Sequence, residues 1–315
     1  MTFSHINLNI FFMNTPLVSI CCITYNHAQF IRKCLDGFLM QQTDFPIEIL
    51  IHDDCSTDGT TEIIREYEVK YPDLIFPLYE EENQYQQGKA AEIDLYNYRR
   101  ARGKYIAYCE GDDYWTDPLK LQKQVDFMEA NPEYSVCFHD CVVYSTWREE
   151  YVHRKNMDVD SDITVDMFLN SKNRVGQPLT MLFRRDVYNY EWQKHYTRFC
   201  DTMEITHLLL AGRGRFLQFN GGQYNLHGGG VSASNPDVRR SWESCEDALE
   251  MWNYTHNPAV KRFYIDAIKW RLDICKRNKM HREYWQAILY ALRHNFSIGM
   301  TIVKYAIKRG IKDLL

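Results

Sequence analysis

The sequence of 315 residues has no apolar run approaching the roughly 20 residues needed to cross a bilayer. Its N-terminal apolar stretch, Ile6 to Met13, has no basic segment ahead of it and no small-residue cleavage site behind it, so neither a leader nor an anchor is expected. Positive charge is not in excess either. With 37 Lys and Arg against 42 Asp and Glu, the net charge is −5 and the pI is near 6.1, which argues against a nucleic-acid partner. Internal repeats and low-complexity tracts are absent. Ten cysteines are present, but no pair has zinc-site spacing matched by a second pair. Cys21, Cys22, Cys109, Cys137 and Cys141 lie in or beside apolar strand-like runs. Buried thiols in a reducing cytoplasm are therefore expected, in a protein that is soluble or at most peripheral to a membrane.

What is present suits a folded α/β chain. The 45% apolar share can bury a full core, in one large domain or two ordinary ones. Aromatic residues make up 14%, including 22 Tyr and 7 Trp. Such rings cover the apolar faces of sugars, yet a Tyr-rich core gives the same count, and composition alone favours the core.

The first half alternates strand and helix signals. Leu17 to Ile23 is a short run rich in β-formers, ended by the turn Thr24-Tyr-Asn-His. A helix is expected from Ala28 to Gln41, a strand over Ile47 to Ile51, and a turn and N-cap cluster over Asp53 to Gly59. A helix over about Thr60 to Lys70, a strand over Leu74 to Tyr79, a helix over about Ala90 to Ala101 and a strand over Lys104 to Cys109 follow. Strands alternating with helices of this length indicate right-handed βαβ units and a mainly parallel sheet. Further on, the pattern predicts a helix from Leu119 to Glu129, strands over Tyr134 to Tyr144 and Pro178 to Phe183, and a mobile polar loop over Arg148 to Asp162. Gly221 to Gly230 is Gly-rich, and from about Val238 the pattern is helical to the end.

Ligands of parallel sheets bind outside the carboxyl ends of the strands. Three polar clusters fall at those ends: Thr24-Tyr25-Asn26, Asp53-Asp54 and Glu110-Gly-Asp112-Asp113. They should converge on one crevice. Carboxylates as close as Glu110, Asp112 and Asp113 repel unless a cation or protons intervene, and Mg²⁺ or Mn²⁺ takes such oxygens together with substrate phosphates. The competing account is a solvated acidic turn ahead of a helix. Likewise Ser56, Thr57 and Asp58 can cap a helix, but capping leaves the pair Asp53-Asp54 unexplained. A carboxylate there can accept from a nucleobase N–H or a ribose hydroxyl, and Tyr25 can stack on the base.

Three segments carry a resemblance: Val18 to Asn26, Ile49 to Thr60, and Ala101-Arg-Gly-Lys-Tyr-Ile-Ala-Tyr-Cys-Glu-Gly-Asp-Asp-Tyr-Trp115 with Asp117-Pro-Leu-Lys120. In order and spacing the chain resembles the family 2 glycosyltransferases, which have the GT-A fold. The match is strongest over residues 16–140 and continues more weakly through Asp201 and Tyr224 to Val231. The resemblance implies an inverting transferase that takes a sugar from a nucleoside diphosphate donor, with UDP the expected nucleotide, in cell-surface polysaccharide biosynthesis. It implies a nucleoside pocket of Tyr25, Asp53 and Asp54, and a donor-site loop carrying Gly88 and Lys89. It also implies that Glu110 to Asp112 stands for the family's D-x-D motif, with Asp112 as the Mn²⁺ or Mg²⁺ ligand and Glu110 and Asp113 at the donor. Glu110 replaces the usual first Asp, and Cys55 replaces the usual Gly of the D-D-G-S run. Asp201 is the expected base for the acceptor hydroxyl, with an N-cap as its alternative role and Glu204 in reserve. His227 is a candidate metal or diphosphate ligand, against an incidental histidine in a Gly-rich loop.

The expected domains are a catalytic GT-A domain over residues 1–235 and a helical extension over 236–315. From Lys261 to Leu315 the chain holds 13 basic and 4 acidic residues, beside apolar positions such as Phe263, Ile268, Trp270 and Ile274. These suit either attachment to an anionic membrane, where lipid-linked acceptors reside, or a packing appendage or homodimer face. The acceptor is expected to be a saccharide or a lipid-linked saccharide. A non-catalytic nucleotide-sugar-binding or scaffold protein with the same fold is the alternative function. A sugar nucleotidyltransferase would need a Gly-rich, basic loop after the first strand, which Thr24 to Gln29 does not supply.

Overall fold

The computed structural model describes residues 15–152, 160–170, 176–228 and 237–309. The stretch Ile6 to Met13 and residues 153–159 of the polar loop lie outside them. The described residues form two compact units, one running to Gln193 and resuming over Arg198–Leu226, the other combining Lys194–Thr197 with the chain from His227 onward. Among the described residues, no helix is long and apolar enough to cross a membrane.

The first unit opens with β1 (Val18–Thr24), α1 (Ile31–Leu39), β2 (Ile47–Asp53), α2 (Thr60–Lys70), β3 (Ile75–Tyr79), α3 (Ala90–Arg100) and β4 (Tyr105–Glu110). It continues with β5 (Tyr114–Trp115), α4 (Lys120–Ala130), β6 (Tyr134–Ser145), β7 (Glu150–Val152), β8 (Ser161–Ile163), α5 (Val165–Asn170), β9 (Leu182–Arg184), α6 (Asp201–Ala211) and β10 (Arg213–Leu226). The sheet runs in the order β3-β2-β1-β4-β9-β6-β10-β5. The longer pairings are parallel: β1 with β2 and β4, β2 with β3, and β6 with β10. Every antiparallel pairing has a short strand as one partner, with β9 bridging β4 and β6. This is the α/β, mainly parallel GT-A architecture that the alternation implied.

The period of each element decides which face it buries. In α1, Ile31, Cys34, Leu35 and Phe38 recur at helical spacing and are fully buried. They cover one face of the sheet with Ile20, Cys22, Ile49, Ile51, Ala107 and Cys109, joined by Leu121, Val125 and Met128 of α4. Alternate strand residues point the other way, where Tyr98 of α3 meets Tyr108 edge-on. Asn97 of α3 donates to the Cys22 carbonyl at 2.8 Å and Arg100 to the Ile51 carbonyl at 2.8 Å, tying the helix to β1 and β2.

Several boundaries differ from the sequence reading. Pro178–Thr180 is a 3-10 turn rather than strand, closed by the Thr180 N–H and hydroxyl on the Gln177 carbonyl, and only Leu182–Arg184 pairs. The polar loop carries β7 and β8 at its ends, paired with β6 and β10. Gly221 to Leu226 belongs to β10, where a Cβ at Gly221 would lie 2.6 Å from the His139 ring. Gly221 has no side chain because the His139 ring needs the space.

The second unit is built from α7 (Asp237–Thr255), α8 (Pro258–Arg277), α9 (His281–His294) and α10 (Phe296–Lys308). Asn257 caps α8 through the Ala259 N–H, with Pro258 at the first position, and Asn295 caps α10 through Ile298. Its core joins Cys245, Leu249, Tyr264, Ile268, Leu272, Ile288 and Ile302. Ile268 and Ile274 are buried and Phe263 packs on this core, so three of the four apolar residues of α8 offered above as a membrane face are packing residues.

Candidate functional site

The parallel register places Thr24 beside Asp53, and Ile23 beside Glu110. The polar ends of β1, β2 and β4 therefore do converge. Two backbone bonds close the crevice floor: Asp54 N–H to the Thr24 carbonyl at 3.0 Å, and Gly111 N–H to the Ile23 carbonyl at 2.8 Å. A Cβ on Gly111 would lie 2.5 Å from Thr24 Oγ1, so only glycine lets the acidic turn lie this close to β1.

On the β2 side, both aspartates hold loops. Asp53 is buried and accepts from the Ser56 N–H at 3.1 Å and from the Thr61 hydroxyl. Asp54 is also buried; one oxygen accepts from Gln84 N–H at 2.6 Å and the other from Tyr85 N–H at 3.1 Å. Lys89 is exposed and donates to Gln84 Oε1 at 2.8 Å, while Gly88 turns the loop with φ of 80°. Tyr25 is exposed at the end of β1, and Asn26 after it adopts φ of 56° and accepts from Thr57 N–H at 2.8 Å. Asp54 and the 83–89 loop thus share one side of the crevice.

The β4 side is acidic. Ligand oxygens of Glu110, Asp112 and Asp113 all lie within 4.8 Å of one another. Asp113 is buried, and its carboxyl is pushed well above the usual range by burial, then by Asp112 and Glu110, against an opposing N–H bond from Asn225 at 2.7 Å. Asn225 also donates to the Asp112 carbonyl at 2.6 Å, which fixes the turn to β10. Glu110 is pushed well up by loss of hydration, then by Asp112, Asp201 and Asp94. Such shifts signal negative charge that hard cations relieve, and carboxylate oxygens are the donors that Mg²⁺ and Mn²⁺ take. The residue set fits a divalent metal: Glu110 and Asp112 are half-buried, whereas Asp113 is buried and committed to the turn through Asn225.

Asp201 is the first residue of α6. Its carboxylate accepts from its neighbour Thr202 N–H, in the first turn of the helix, at 2.8 Å. Its charge raises the carboxyls of Glu110, Asp94 and Glu204. Glu204 is buried and pushed well up, by burial and then by Asp94. Asp94, pushed up to about 6 chiefly by loss of hydration, was not singled out from sequence. Its signal was an acid sharing a helical face with Tyr98 and Ala101, both buried. His27 was also missed: Nε2 lies 3.8 Å from Asp112, and Nδ1 lies 3.1 Å from Thr24 Oγ1. His227 follows β10 and is buried.

A family model described as Glycosyl transferase family 2 matches residues 19–192. An uncharacterized protein of Mycobacterium tuberculosis is 35% identical over 218 residues, covering 57% of this chain and 62% of the relative, a little under two thirds of its length. Two solved structures share the fold. Staphylococcus aureus TarS 1–349 in complex with UDP-GlcNAc superposes with a TM-score of 0.63 at 15% identity, over 89% of this chain and 82% of that one. A mannosyltransferase from Pyrobaculum calidifontis in complex with GDP-Man and Mn²⁺ gives a TM-score of 0.54 at 17% identity, over 93% of this chain and 81% of that one.

Proposed function

The chain belongs to glycosyltransferase family 2, and from that premise we propose that it transfers a sugar from a nucleoside diphosphate donor to a hydroxyl acceptor with inversion. The observation that carries this reading is the acidic turn after β4, whose three carboxylates gather within 4.8 Å at the carboxyl end of a parallel sheet. Similar folds bound to UDP-GlcNAc and to GDP-Man with Mn²⁺ support a nucleotide-sugar donor. UDP is the proposed nucleotide and a saccharide or lipid-linked saccharide the proposed acceptor, in polysaccharide biosynthesis. Residues 1–235 would form the catalytic domain and 236–315 the helical extension.

Asp112, flanked by Glu110 and Asp113, would hold Mn²⁺ or Mg²⁺, which when bound neutralises charge on the diphosphate. Tyr25 would stack on the base, with Asp53, Asp54 and the Lys89 loop around the nucleoside. Asp201 would accept the proton of the acceptor hydroxyl as that oxygen bonds to the anomeric carbon, while the bond from that carbon to the diphosphate oxygen breaks on the opposite face. His227 would serve as a further ligand for the metal or the diphosphate.

Thermal melts with UDP-, GDP- and dTDP-sugars test the reading. At least one should raise the melting temperature in a Mn²⁺-dependent manner, and Asp112→Asn should remove that rise. Asp201→Asn should keep donor stabilisation but lower kcat by about 10²-fold or more, the usual contribution of a positioned base. Absence of stabilisation by every nucleotide would favour a scaffold without turnover.

A further inference from the structure

Among the described residues, each of the last two helices of the second unit carries an exposed apolar stripe opposite its buried one. On α9, Trp285 and Leu289 are exposed four residues apart, opposite the buried Tyr284, Ala287, Ile288 and Ala291. On α10, Phe296, Met300 and Ile307 fall within one narrow stripe at helical spacing, opposite Ile298, Gly299, Ile302 and Ala306. Phe296 is 72% exposed and Ile307 61%, and neither joins the core of the unit. The same helices are strongly one-signed. Residues 281–309 contain five Lys or Arg and a single acid, Glu283. Arg282 and Arg293 flank Trp285 and Leu289 on α9, and Lys304 and Lys308 lie beside the stripe of α10. Among the described residues these four cations make no ion pair, whereas Arg309 is held by Asp273.

We propose that this face of α9 and α10 docks on an anionic lipid surface, with the apolar stripe at the level of the acyl boundary and the four cations among the headgroups. Apolar side chains, an interfacial Trp and flanking basic residues are the requirements for a helix that lies in a membrane plane. Helices of 14 and 13 residues reach about 20 Å, short of the hydrocarbon thickness, so they lie on the surface rather than cross it. A second copy is the less suitable occupant. A two-fold contact through this face would bring Arg282, Arg293, Lys304 and Lys308 towards their own copies with one acid per chain to offset them. The inference concerns the second unit alone and does not depend on the reaction proposed for the first.

Sedimentation of the full chain with vesicles of phosphatidylcholine, with and without phosphatidylglycerol, tests it. Binding is expected with the anionic vesicles only, weakening as salt rises. Arg282→Glu with Arg293→Glu should weaken it tenfold or more, since each cation near such a surface is worth about fivefold. Phe296→Ser with Ile307→Ser should abolish it while leaving helix content and nucleotide-dependent melting unchanged. Failure to sediment with anionic vesicles overturns the proposal, as does binding that survives the Phe296/Ile307 pair. A dimer by light scattering that this pair dissociates, without vesicle binding, would overturn it in favour of a second copy.

Discussion

Asp94 retains its proton to higher pH than a solvated aspartate, because loss of hydration and the Asp201 charge both disfavour its anion. The sign of its effect on stability follows. Its pKa is about 6 in the fold against 3.8 for the ordinary side chain. Between those values the folded chain binds more protons than the unfolded one, so this group lowers stability as pH rises through the window. Asp94→Asn should therefore raise the melting temperature at pH 7.5 by on the order of 5 °C and change little at pH 4. Equal melting shifts at the two pH values would show that Asp94 is hydrated after all. The Asp94 charge in turn helps to raise the carboxyls of Glu204 and Glu110. At this scale the sequence was informative where chemistry coincides with strand ends. Glu110, Asp112, Asp113 and Asp54 follow apolar β runs directly, whereas Asp94 sits within a helix, where an acid reads as solvated surface until its neighbours are known to be buried.

Among elements, the turn after β4 depends on one missing carbon. Gly111→Ala would press a methyl group against Thr24, and overpacking of this kind costs about 1–3 kcal/mol. Chemical denaturation should show that loss. Because Glu110 and Asp112 flank the site, Mn²⁺-dependent stabilisation should weaken as well. The βαβ half of the sheet was legible because each strand is a continuous apolar run and each helix repeats at 3.6 residues. Strand β10 was not, since Gly221 and Gly222 dilute its strand character and are explained only by what packs against them: the His139 ring at one, Leu179 and Tyr114 at the other. The 3-10 turn at Pro178 escaped for a similar reason. Trp115 Nε1 donates to the Leu179 carbonyl at 2.9 Å, a contact between residues 64 positions apart that no local pattern reports.

Across the whole molecule, the ten cysteines give a simple measure of packing. All lie among the described residues, no disulfide joins them, and eight are buried; Cys55 and Cys200 are the partly exposed pair. Burial pushes the Cys109 thiol up to about 11 and Cys137 to about 12, so neither supplies thiolate at neutral pH. Thiol titration of the native protein should therefore show two fast-reacting groups, and ten after denaturation. More than two fast groups would mean that the cores of the units open readily. The expectation of buried thiols came from apolar flanks alone, and it holds in both units because Cys245 and Cys275 sit in the helical core just as Cys22 and Cys34 sit beneath the sheet.

The hold of Asp54 on Gln84 and Tyr85 has a consequence for recognition. Its two oxygens already have backbone donors, so a ligand that recruits them gains only the difference between its own hydrogen bonds and those it displaces. Affinity at that position is an exchange rather than an addition. Discrimination between nucleosides would then rest on how far each one leaves the 83–89 loop in place, and a change in the loop would alter selectivity without touching the ligand.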